Sequence, residues 1–263
     1  MKPGKKNIVL TVLILISGIV LVIGGSKLFG AYVLPALPFD MPEWLGNVLR
    51  QMVVPYGLLL PLAALLYRLL PSEMPDEKKR IGFGGLTKCF VVQTGVSVTF
   101  MIAVNMATII LTGKAPQSNA GDTTSPYMLF MLLVFNPIFE ELLFRKLTID
   151  RLRAHGRLAA VVISAVMFSL PHIISQGLPA AAMTLVCGLV WGMVYYETGR
   201  LLPCCILHAL INLMLGILSS VLMSHNLMIV YVLVYVLGFQ IAAWIVLISH
   251  IVKATPHNSR LKP

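Results

Sequence analysis

The sequence predicts an all-α polytopic membrane protein with about eight transmembrane helices. Three observations carry that reading. The 263 residues are 58% hydrophobic and only 11% charged, whereas soluble domains carry about 25% charged residues. Apolar runs of roughly 20 residues recur along the chain, each about long enough to cross a bilayer. Basic residues gather in every second connection between these runs, the pattern that orients a membrane chain with its positive loops in the cytoplasm. The formal charge of +10 is therefore topological information. No aromatic-interleaved basic face accompanies it, so a nucleic-acid partner is not expected.

The first run, about 8–29, follows a Lys-rich start. It is longer than the ~7–15-residue apolar region of a secretory signal and no small-x-small cleavage site follows, so it is expected to stay as a helix. The second and third runs, about 48–70 and 86–112, flank a charged, Gly-rich connector around Pro71 to Gly85. A polar, turn-rich stretch from Gly113 to Ser125 leads into the fourth, about 127–149. The fifth, sixth and seventh, about 158–175, 178–196 and 201–222, are short or closely spaced, which leaves open a merged span or a re-entrant segment. The eighth, about 227–252, precedes a basic tail. With both termini in the cytoplasm, only Lys27, Arg50 and Lys114 of the 20 basic residues fall outside. A missed or merged span would scramble that split. The expected organisation is three N-terminal helices with connectors over 1–125, a catalytic helical core over 126–222, and a last helix with its tail over 223–263. Cys89, Cys187, Cys204 and Cys205 lie in or beside apolar runs without metal-ligand spacing, and read as buried small apolar residues.

Ionisable residues inside apolar helices need a reason, because a charge at mid-bilayer costs about 2.5–3.5 kcal/mol on insertion scales. Glu140 and Glu141 sit in the fourth run, in Asn136-Pro-Ile-Phe-Glu-Glu-Leu-Leu-Phe-Arg145. Glu141 and Arg145 are spaced to pair along one helix face, while Glu140 points ~100° away without a local cation. One carboxylate is thus expected to be structural and the other free for chemistry. In the fifth run, Phe168-Ser-Leu-Pro-His172 places Phe168 and His172 on one face, with Pro171 able to loosen the turn. In the seventh, His208-Ala-Leu-Ile-Asn212 offers two polar groups that can donate to one oxygen. Each of the last two sets alone would also suit interhelical polar contacts. Helical rise puts Glu140 ~15 Å and His208 ~12 Å from the cytoplasmic side, and His172 ~21 Å, so tilt or the proline must bring His172 level. A carboxylate, two imidazoles and an amide sharing a cavity suit hydrolysis of an amide bond. The same inventory could bind Zn²⁺ through Glu140, His172 and His208. No H-E-x-x-H places two ligands on one helix, and the sequence leaves the metal open.

At these residues the chain resembles the CPBP family, which groups type II CAAX prenyl endopeptidases with bacteriocin-processing and self-immunity membrane proteins. The family pattern E-E-x-x-x-R, F-x-x-x-H and H-x-x-x-N is matched in order by Glu140-Glu141…Arg145, Phe168…His172 and His208…Asn212. The stretch from Gly188 through Trp191 and Gly199 to His208 also looks like the family's final motif region, and the resemblance covers roughly 127–220. Pro171 is not part of the pattern. The resemblance implies a glutamate-dependent intramembrane endopeptidase with Glu140 as general base. His172 would help hold the attacking water, His208 and Asn212 would form the oxyanion site, and Glu141 and Arg145 would brace the helix, with Phe168 supporting them. It further implies a membrane-associated peptide substrate, either a prenylated CAAX protein or a leader or bacteriocin-type peptide. The short loops look like a bacterial plasma-membrane member. The rival expectations are a non-catalytic scaffold or immunity protein of the same fold, and a proton-coupled transporter. The absence of an internal repeat disfavours the transporter.

Overall fold

The structure is a computed structural model that describes residues 7–38, 40–75, 78–115 and 123–254. Lys2, Lys5, Lys6, Arg260 and Lys262, which entered the charge-asymmetry argument, lie outside the described residues. Among those described, eight helices are long and apolar enough to cross a membrane: α1 (Ile8–Ala36), α2 (Glu43–Leu69), α3 (Phe83–Thr112), α4 (Pro126–His155), α5 (Arg157–Gln176), α6 (Leu178–Thr198), α7 (Leu201–Leu222) and α8 (Met228–His250). No strand occurs among them. The three closely spaced runs are separate helices, each of 20 residues or more, or ~30 Å at 1.5 Å per residue.

Local sequence sets the ends. The side chain of Asn7 accepts from the N–H groups of Val9 and Leu10, and Ser125 accepts from Met128 N–H ahead of Pro126 at the start of α4. Such caps satisfy donors that the first helical turn leaves open. Gly177 alone separates α5 from α6 and folds them into a hairpin. Along this hairpin Gly188 and Gly192, one turn apart, let the α6 backbone approach α5: a methyl group on Gly188 would meet Ala165 Cα at 3.0 Å. Close backbone contact of this kind replaces the hydrophobic driving force that lipid does not supply.

The remaining helices are joined by single polar contacts within apolar packing. Tyr67 Oη of α2 donates to the Leu15 carbonyl of α1 at 2.7 Å. Arg151 Nε of α4 donates to the Tyr67 carbonyl at 2.9 Å. Gln240 Nε2 of α8 donates to Thr99 Oγ1 of α3 at 3.1 Å. Large apolar side chains such as Leu13, Val20, Ile110, Ile174, Ile229 and Ile245 point outward, the surface expected where the solvent is lipid. Helix α4 widens to i→i+5 hydrogen bonding over Met131–Phe135 and Leu142–Leu147, on either side of the paired glutamates, and α7 does so over Asn212–Leu218. The same widening occurs in α2 and α8, so it does not by itself mark a site.

Candidate active site

The three sequence motifs meet between α4, α5, α6 and α7. Glu141 and Arg145 form the expected pair, Arg145 Nε to Glu141 Oε2 at 2.9 Å, with both side chains fully buried. Glu141 does more than brace its own helix. Its other oxygen, Oε1, lies 3.1 Å from Nδ1 of His208 on α7. A carboxylate inside the membrane thus has a cation on one side and an imidazole on the other, which offsets the cost of burying it. Arg145 Nη1 also donates to Ser164 Oγ of α5 at 3.4 Å, and that hydroxyl donates to the Phe144 carbonyl at 2.6 Å. The guanidinium carbon sits 4.8 Å from the centre of the Phe168 ring and 5.4 Å from that of Trp191, a cation–π arrangement in a desolvated setting.

Phe168 is the hub of the site. Its ring touches Phe144 at 5.3 Å, His172 at 5.0 Å, Trp191 at 5.5 Å and His208 at 5.9 Å, centroid to centroid. Through this shared ring His172 joins the cluster despite its greater depth by residue count. Helix α5 runs unbroken past Pro171. His172 Nδ1 lies 2.9 Å from the Phe168 carbonyl. A carbonyl can only accept, so this nitrogen carries the proton, and Nε2 is left to accept from a water.

Glu140 and Glu141 are adjacent and live in different surroundings. Glu140 keeps 19% of its side chain exposed, and its Oε2 lies 3.8 Å from Nε2 of His208. That distance is too long for a direct hydrogen bond and short enough for one water to touch both groups. Tyr56 of α2 packs against Phe139 at 5.0 Å and lies within electrostatic reach of Glu140. Asn212 does not point freely into the cavity: its Nδ2 donates to the Leu132 carbonyl of α4 at 2.8 Å. This uses one of the two amide hydrogens and leaves the other.

The sequence reading missed how His208 is held. Its ring stacks on Trp191 of α6 at 4.4 Å and 19°. Trp191 Nε1 donates to Gln93 Oε1 of α3 at 2.6 Å, and Gln93 Nε2 donates to the Leu207 carbonyl beside His208 at 2.9 Å. Gln93 is fully buried. An amide in an otherwise apolar run was the signal available for it. Gln93→Leu leaves the indole N–H without a partner, and a buried unsatisfied donor costs ~1–3 kcal/mol. A lower unfolding midpoint in detergent is the expected result; an unchanged midpoint would mean that packing alone fixes Trp191.

The cysteines are free. Cys204, one turn before His208, is fully buried, with its Sγ 3.4 Å from the Trp191 carbonyl. Among the described residues no group of three or more His, Cys, Asp or Glu side chains could hold a metal ion. Glu140, His172 and His208 are thus not gathered into a three-ligand set in this structure.

Fold and geometry together define a polytopic membrane protein with a glutamate–histidine site buried in its helices. Residues 122–214 match the family described as Rce1-like, type II CAAX prenyl endopeptidase. That segment spans α4 to most of α7 and contains all three motifs, so the recognition made from the motifs is borne out. At family level the match supports a CAAX-type intramembrane protease. Tyr56 and Gln93 lie outside the matched segment. No curated protein and no solved structure gave a significant match.

Proposed function

We propose that this protein is an intramembrane endopeptidase that hydrolyses a peptide bond of a membrane-associated substrate with a water activated by Glu140. The observation that carries this reading is the division of labour between two adjacent carboxylates. Glu141 is buried and held by Arg145 and His208, whereas Glu140 stays accessible and faces the free side of the same imidazole. A carboxylate whose oxygens are both engaged suits structure, and an accessible one beside an imidazole suits acid–base work.

Glu140 takes a proton from a water that His172 Nε2 helps to position, and the hydroxide attacks the substrate carbonyl. The developing oxyanion accepts from Nε2–H of His208 and from the remaining amide hydrogen of Asn212. The contact of Nδ1 with Glu141 fixes the orientation of the ring, with Nε2 on the side of Glu140. The proton on Glu140 then passes to the leaving nitrogen as the C–N bond breaks. Desolvation by the surrounding helices strengthens each of these interactions. Within the matched family, the first substrate class to consider is a prenylated protein ending in a CAAX sequence, with cleavage after the modified cysteine. Leader and bacteriocin-type peptides come second.

The test is a panel of peptides offered to the purified protein in lipid nanodiscs: an S-farnesylated CAAX peptide, the same peptide without lipid, and a leader-type peptide, with products identified by mass spectrometry. Cleavage of the farnesylated peptide next to the modified cysteine is the expected result. A folded protein that cuts none of the panel would favour the scaffold or immunity reading.

A further inference from the structure

A second feature lies on the outer surface of the bundle, between α1 and α5. The two helices are tied at the end that the basic residues assign to the cytoplasm. There Thr11 Oγ1 of α1 lies 3.3 Å from Nε2 of His155, the last residue of α4 and two before α5. Further along, α1 from Ile16 to Lys27 and α5 from Met167 to Ile174 line a recess of about 360 Å³. Ile19 and Met167 are buried at its base, whereas Val20, Leu170 and Ile174 are exposed along its sides. The recess therefore opens toward lipid.

Packing against α2 sets which face of α1 borders this recess. A Cβ on Gly18 would run into the Tyr67 ring, and one on Gly25 would meet Leu59 Cδ1 at 2.9 Å. The close approach at both positions fixes the rotation of α1 about its axis. Ile16, Val20, Gly24 and Lys27, spaced by three or four residues, then share the face that borders α5.

Chemistry and length define the occupant. The lining is apolar except for Lys27, which stands at the end that the charge pattern assigns to the outside, and no acidic residue lines the recess to meet it. From Ile16 to Lys27 the helix rises ~16 Å, close to half of the ~30 Å hydrocarbon core. An apolar slot one leaflet long, with a cation where headgroups begin, matches an anionic lipid. We propose that this groove holds one acyl chain of an anionic glycerophospholipid, with Lys27 on its phosphate. Pro171, which lines the groove, has no N–H to offer the Met167 carbonyl one turn back. The lipid chain packs along this weakened turn, directly beside His172. The site stands whether or not the protein cuts peptides.

The experiment counts lipids on the full-length protein. Delipidated protein in detergent is titrated with an equimolar mixture of phosphatidylglycerol and phosphatidylcholine of the same chains, one of them deuterated, and the complexes are weighed by native mass spectrometry. The first phosphatidylglycerol is expected to bind about fivefold more tightly than phosphatidylcholine. Lys27→Gln should bring the two lipids within about twofold, while Lys114→Gln, which removes another cation from the same side, should leave the preference intact. Gly24→Leu fills the groove from within. A Cβ at Gly24 meets only Val20 Cγ1, at 3.8 Å, and leucine favours the helix, so this variant should keep its thermal midpoint and lose the retained lipid of either kind. Equal binding of the two lipids by wild type, a preference that survives Lys27→Gln, or a lipid still retained by folded Gly24→Leu would overturn the proposal. Displacement of phosphatidylglycerol by S-farnesylcysteine methyl ester would assign the groove to an isoprenoid chain and overturn it as well.

Discussion

Glu140→Gln is expected to lower the cleavage rate by roughly 10²–10⁴-fold, the range for loss of a general base. The amide fills the same volume but cannot take a proton from water. Glu140 makes no direct hydrogen bond to His208 across 3.8 Å and is partly exposed. The unfolding free energy should therefore move by no more than about 0.5 kcal/mol. Turnover and the thermal midpoint, measured on one preparation in nanodiscs, separate the two effects. A variant that still turns over at the wild-type rate would show that the base lies elsewhere.

The largest effect on stability is expected from Arg145→Met. Arg145 and Glu141 are both fully buried and 2.9 Å apart, and removing one partner leaves an uncompensated charge that costs ~3–5 kcal/mol. The methionine keeps apolar contact with Phe168 and Trp191 but loses the cation–π contacts. Adding Glu141→Gln removes the orphaned charge, so the double variant should be more stable than Arg145→Met alone, a non-additivity expected of direct partners. Equilibrium unfolding in detergent reads both. A double variant less stable than either single one would show that the pair is not the unit holding α4.

The difference between the two predictions reflects how much each interaction is local. The Glu141–Arg145 pair spans one helical turn and was readable from spacing alone. The Phe168–His172 contact was equally local. The eight spans were readable because lipid demands long apolar runs, and separate α5, α6 and α7 follow from their lengths of 20 residues or more despite connections of one and two residues. What spacing does not carry is the contact between Glu141 and His208, which joins residues 67 positions apart. Nor does it carry the stacking of Trp191 beneath His208, or the reach of Gln93 from α3 to α6 and α7. Those contacts depend on how helices rotate and cross, which composition does not encode. Asn212 illustrates the limit. Its spacing from His208 was correct, yet one of its donors is taken by the Leu132 carbonyl of α4, a tertiary partner that no periodicity announces. The first three helices matched no motif, yet α2 supplies Tyr56 and α3 supplies Gln93 to the site.

Hydrolysis by a glutamate-activated water is the central claim. Its most direct test is to incubate the chelator-treated wild-type protein in nanodiscs with a farnesylated CAAX peptide in ¹⁸O-enriched water and weigh the products. The account predicts release of the C-terminal tripeptide, one ¹⁸O atom in the newly formed carboxylate, and a rate that chelation does not change. An intact peptide, or activity that disappears on chelation and returns with zinc, would contradict it.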